Sequence, residues 1–128
     1  MRVLLDTHAF LWYIEGSSLL PGPARRLIQR RDSERLISVA CVWEMAIKVS
    51  IGRLESEAPF AVSMRRMLDH NRIGLLQPTL DDLDLIMTLP FHHRDPFDRL
   101  MIAQSLSQQI PIVSGDRFFD EYGVDRRW

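Results

Sequence analysis

The chain has 128 residues, 46% of them hydrophobic and 26% charged, with a formal net charge of −1. That length suits one domain, and a chain of this size buries enough surface to hold a core without disulfides. The near-neutral balance excludes a basic nucleic-acid coat, and the single cysteine, Cys41, excludes an internal disulfide.

The predicted elements alternate in type along the chain. Residues 2–5 read as a short buried strand, and His8 to Glu15 as a helix closed by Gly16. Pro23 opens a helix from Ala24 to Arg31. Residues 35–39 form a second strand, followed by a helix from Ala40 to Ile51 that Gly52 can close. Pro59 to Asn71 is an amphipathic helix, and Leu75-Leu76-Gln77 a short strand. Thr79 is a helix N-cap, paired with Asp82 three residues on in a box-like arrangement. That helix runs to about Thr88, where Pro90 stops it. Asp95-Pro96 starts a helix over Phe97 to Gln109. Ile110 to Val113 is a strand, Ser114-Gly115-Asp116 a turn, Phe118 to Tyr122 a short helical turn, and Val124 the start of an edge strand. Such alternation predicts an α/β fold with a mainly parallel central sheet, in one domain spanning residues 1–128.

No export signal is expected, because the apolar run Val3–Leu5 is broken at Asp6. No stretch reaches the roughly 18 apolar residues of a membrane span, so a cytoplasmic location is expected. Cys41 reads as a small buried hydrophobe. The cations are nearly all arginine, Lys48 being the only lysine. Pairs such as Arg25-Arg26 and Arg65-Arg66 suit phosphates and carboxylates alike, and equally a solvated helix face.

Open parallel sheets place their sites outside the carboxyl ends of the strands. Asp6 directly follows the first strand, and Asp116 stands three residues after Val113. Both have simpler roles available: Asp6 as the cap of the first helix, and Asp116 as a turn residue beside Gly115. Glu44 lies in a helix that reads as apolar nearly all round, which predicts burial. A buried carboxylate is costly without a partner, and an ion pair with Lys48 is the simple alternative. Asp95 is explained by capping. Asp98, at the third position of that helix, is free to point into a cleft. Four acids from four segments (Asp6, Glu44, Asp98 and Asp116) would repel one another unless a hard divalent cation joined them. Such a centre suits hydrolysis of a phosphodiester.

Several chemistries are excluded. There is no phosphate-binding GxxxxGK[ST] loop, no GxGxxG and no GxSxG elbow. A zinc site at His92 and His93 lacks a second histidine at helical spacing and a cysteine pair. These two histidines are expected as loop residues near the site, able to meet a substrate phosphate. His8 reads as structural, and Asp120 as a helix or turn residue.

Four stretches carry a family resemblance. They are Leu4-Leu5-Asp6-Thr7-His8-Ala9-Phe10-Leu11-Trp12, Ser38 to Lys48 around Glu44, His92 to Gln104 around Asp98, and Ile112-Val113-Ser114-Gly115-Asp116. In this order they resemble the acidic motifs of PIN-domain ribonucleases of the VapC toxin type. The resemblance implies a central parallel sheet flanked by helices in a three-layer α/β/α domain. It also implies Mg2+ or Mn2+ held by Asp6, Glu44, Asp98 and Asp116, endonucleolytic cleavage of RNA, a homodimer, and a cognate antitoxin whose C-terminal segment covers the cleft. Ser114 stands where the family often has threonine, and Asp95 is an acid that only part of the family shares. The alternative is a catalytically inactive PIN module serving as an RNA- or protein-binding scaffold, against which the intact four-acid set argues. A receiver-type signalling domain is disfavoured, since it needs a paired acid after the first strand and a lysine near the last.

Overall fold

Val3, Leu4 and Leu5 are all fully buried, so the strand that carries them must be covered on both faces. A parallel sheet with helices on each side provides that cover. The computed structural model describes residues 1–128. It runs β1 (Arg2–Leu5), α1 (Thr7–Glu15), α2 (Gly22–Gln29), β2 (Glu34–Ser38), α3 (Val39–Ser50), α4 (Phe60–Asn71), β3 (Ile73–Leu76), α5 (Leu80–Thr88), α6 (Pro96–Gln108), β4 (Ile112–Val113), a 3-10 turn over Arg117–Tyr122, and β5 (Arg126–Arg127). The five strands make one sheet in the order β3-β2-β1-β4-β5, and every pairing is parallel. The fold is therefore a three-layer α/β/α arrangement with β1 at its centre. In register, Leu4 lies between Leu36 of β2 and Ile112 of β4.

Predicted and observed elements differ mainly at their ends. Helix α2 stops at Gln29, two residues before the expected end. Strand β3 begins at Ile73, earlier than expected, because Arg72 takes a left-handed conformation (φ 53°) that ends α4 and turns the chain at once into the sheet. Val124 is buried but lies ahead of β5, which pairs only through Arg126 and Arg127. Gly123, at φ 72°, makes the turn between the 3-10 segment and this edge. The edge strand is short and charged, with Arg126 forked onto Asp120 at 2.8 and 3.0 Å. Both features discourage pairing with a further strand.

Helix ends follow the capping rules. Thr79 and Asp82 form a reciprocal box at the start of α5: the Thr79 N–H donates to Asp82 Oδ2 at 2.8 Å, and the Asp82 N–H to Thr79 Oγ1 at 3.1 Å. Ser38 caps α3 and also donates its hydroxyl to the buried side chain of Gln104. The Gln104 amide reaches the Leu76 carbonyl at 3.4 Å, so one buried polar chain ties the ends of β2 and β3 to α6.

The expectation that α3 is buried all round needs correction. Ala40, Cys41 and Met45 face the core, whereas Trp43, Ile47 and Ile51 are exposed. Apolar residues on both faces can serve a core on one side and an uncovered surface on the other, and the sequence pattern is the same. Leu5→Ala, at a fully buried central position, is expected to lower unfolding stability by about 2–5 kcal/mol. Ile47→Ala on the exposed face should change it by less than about 0.5 kcal/mol. Urea denaturation of the two variants measures the contrast.

Candidate active site

The acids gather where β1 and β4 end. The Asp6 N–H donates to the Val113 carbonyl at 3.2 Å, which locks the ends of the two strands together. Asp6 then caps α1, Oδ1 accepting from the Ala9 N–H at 2.7 Å. Capping and a place at the strand end thus coexist in one side chain. Burial raises the Asp6 pKa above its ordinary value, against the Ser114 hydroxyl and the Ala9 N–H, and the charge of Asp116 adds to the rise. Asp116 precedes the 3-10 turn without capping it through its side chain, and its own N–H donates to Ser114 Oγ at 3.0 Å.

Asp98 and Glu44 occupy the neighbouring part of the same edge. Asp98 is pushed up to about 6, first by burial and then by the charges of Asp95 and Glu44. Hydrogen bonding from His93 opposes that rise, with His93 Nε2 at 2.8 Å from Asp98 Oδ2. Glu44 is half-buried and lies 3.8 Å from Lys48, the ion pair allowed by the sequence. The Cys41 thiol is common ground for three of the acids. Burial raises it to about 12, and the charges of Asp6, Glu44 and Asp98 all push it the same way.

Among histidine, cysteine and carboxylate groups, only His93, Asp95 and Asp98 bring three ligand atoms within 4.8 Å of one another. Asp95 uses Oδ1 to cap α6, accepting from the N–H groups of Phe97 and Asp98 at 2.9 and 3.1 Å. Asp6, Glu44, Asp98 and Asp116 do not meet that 4.8 Å spacing as a set, although Asp6 and Asp116 line one cavity. His93 stacks on Phe118, ring centroids 4.2 Å apart, while His92 packs edge-on to Tyr122 at 5.1 Å.

These features coincide with a known family. The PIN domain family model matches residues 3–125. The chain belongs to the PIN domain family. Two solved structures share its fold. One is VapBC2 from Rickettsia felis bound to a DNA fragment from its promoter, 12% identical, with a TM-score of 0.74 over 99% of this chain and 98% of that one. The other is VapBC-1 from nontypeable Haemophilus influenzae, 18% identical, with a TM-score of 0.66 over 99% and 97%. No curated protein matches the chain.

Within this PIN domain the sequence reading gave no role to Arg99, which is almost fully buried. Its guanidinium donates to the carbonyls of Pro90, Leu89, His93 and Ile86 at 2.8–3.3 Å and lies 4.2 Å below the Phe91 ring centroid. It is held by carbonyl dipoles rather than by an acid. It therefore shapes the loop that carries His93 without neutralising the carboxylates. The signal available in the sequence was an arginine directly before the apolar run Leu100-Met101-Ile102-Ala103, where burial demands several acceptors.

The raised Asp98 pKa has a consequence for stability. Its charged form is disfavoured by the fold, so the stabilisation present below about pH 4 is lost as pH rises towards 6. Asp98→Asn mimics the neutral form. Without added metal it is expected to raise the melting temperature at about pH 7.5 and to leave it unchanged near pH 4, as read by calorimetry.

Proposed function

We propose that this PIN domain, a single unit over residues 1–128, is a divalent-metal-dependent endoribonuclease, the toxin component of a VapBC-like toxin–antitoxin pair acting in the cytoplasm. The observation that supports this reading is that Asp6 and Asp116 wall one cavity where β1 and β4 end, while Asp6, Glu44 and Asp98 all act on the Cys41 thiol. Two of these acids have pKa values raised by burial and by neighbouring charge.

The donor set fits a hard divalent cation. Its ligands are carboxylate oxygens, and the repulsion among them is what a cation relieves. Asp6, Glu44 and Asp98 would hold or orient Mg2+ or Mn2+, and Asp116 would complete the set. When bound, the metal supplies Lewis-acid stabilisation of the phosphodiester and a nucleophile derived from water. The protein's own part is positioning. The Ala9 N–H fixes Asp6, and His93 fixes Asp98. Arg99 fixes the loop from which His93 reaches in.

The partners follow from the same reading. Both solved neighbours carry the VapBC name, which supports a cognate antitoxin. A separate groove of about 330 Å3, lined by Leu11, Met45, Val49, Leu54, Phe60 and Met67 and by none of the four acids, offers an antitoxin segment a further seat. A homodimer is supported by exposed apolar residues on one face of α5 (Leu80, Leu83 and Met87) and along α3 to its C-cap (Trp43, Ile47 and Ile51). No helix is long and apolar enough to cross a membrane.

Purified protein free of antitoxin is expected to cut RNA with Mg2+ or Mn2+ and to stop in EDTA. Asp6→Asn should lower the cleavage rate by more than roughly 100-fold while the protein stays folded. Metal-independent cleavage, or equal cleavage by the variant, would overturn the assignment. A protein that binds RNA without cutting it would instead be a PIN scaffold. In light scattering the wild type should run as a dimer and Met87→Asp as a monomer, and a monomeric wild type at tens of micromolar would refute the dimer.

A further inference from the structure

Asp6 and Asp116 form one side of a cavity of about 210 Å3 whose other walls are His8, Trp12, Gly115 and Trp128. The cavity is therefore half acidic and half aromatic. Trp12 sits one turn along α1 from His8, their ring centroids 5.4 Å apart, and lies 6.0 Å from Trp128. The rings already touch one another, so they make a continuous wall rather than a two-sided slot.

Gly115 explains how this wall reaches the acids. A Cβ built there would fall 2.9 Å from Cε2 of the Trp128 indole, so any other residue type would push the ring away. The glycine between Ser114 and Asp116 is what lets the indole lie this close. The result is a large π surface laid against the backbone that presents Asp116.

The chemistry of the walls selects the occupant. The acid half is where the proposed cation would meet the phosphodiester, and a phosphate set against the aromatic half, whose only cation-capable side chain is His8, would lose hydration without gaining a charge partner. A neutral, flat ring meets no such penalty. Sites for drug-sized ligands span roughly 300–1,000 Å3, so this smaller cavity suits a single ring system. RNA outside a duplex offers such rings, because its unstacked bases lie on aromatic side chains.

We propose that the His8–Trp12–Trp128 wall is a nucleobase subsite that receives one unstacked base of the RNA strand beside the phosphodiester to be cut. This rests on the ribonuclease reading and adds to it a determinant of where the strand is placed. Stacking on one aromatic side chain corresponds to about a five- to hundredfold change in affinity.

Two readouts on the full-length chain separate the subsite from the activity. The first is cleavage of a mixed-sequence single-stranded RNA with Mg2+, comparing wild type, Trp128→Leu and Trp128→Phe. Trp128→Leu is expected to raise KM about five- to hundredfold and to redistribute the cut positions, and Trp128→Phe to restore both largely. Equal KM and identical cut positions in the leucine variant would overturn the subsite while leaving the nuclease intact. The second is quenching of tryptophan fluorescence by the same RNA in EDTA, in a Trp43→Phe background so that Trp12 and Trp128 report. Saturable quenching supports the subsite, and its absence overturns it, even if the wild type cuts no RNA and the nuclease reading itself falls. Thermal melts accompany each variant. If Trp128→Leu fails to fold, His8→Ala at the exposed rim carries the same KM and cut-site test.

Discussion

Strand β1 is hydrogen-bonded on both sides by parallel strands, and the acidic edge depends on that constraint. In a parallel sheet all strands deliver their carboxyl ends to one side, so Asp6 and the turn after β4 emerge together. The Asp6 N–H continues the ladder to Val113, and its carboxylate starts α1. One residue thus ends a strand, begins a helix and contributes charge to the site. A one-residue slip of β1 would exchange its side chains between two differently packed faces and move Asp6 away from β4, so core packing and site geometry are enforced by the same register.

The electrostatics of the edge run against stability. Burial and mutual repulsion hold Asp6 and Asp98 above their ordinary pKa values. The one buried cation, Arg99, is satisfied by carbonyls, so relief from a positive charge comes only from His8 for Asp6 and from His93 for Asp98, and burial outweighs both. Functional sites commonly keep strain of this kind while the surrounding structure stays over-determined. Here the surroundings are a core cluster of 24 buried residues and the polar chain from Ser38 through Gln104 to Leu76.

What could be read in the sequence was local. The strand of apolar residues before Asp6, the Thr79–Asp82 box and the cap at Asp95 each depend on a few adjacent side chains, and each is observed. The positions of Asp6 and Asp116 at strand ends were equally legible, since parallel order follows from alternation of elements. The hydrogen bond between Ser38 and Gln104 joins residues 66 positions apart, and no periodicity encodes it. The His93–Asp98 contact depends on a loop shaped by Arg99. The outward face of α3 was misread because an apolar stripe looks the same whether it meets a core or solvent.

The single thiol of Cys41 turns these facts into a clock. It is buried against Met101 and raised to about 12, so in the closed protein it is almost entirely protonated and shielded from reagents. Alkylation at neutral pH then proceeds only through molecules whose edge has opened, at a rate set by how often that happens. An ion held by the neighbouring acids would stabilise the closed form by mass action, and to that extent would slow the clock. One unmodified cysteine therefore times the breathing of the site without any engineered probe.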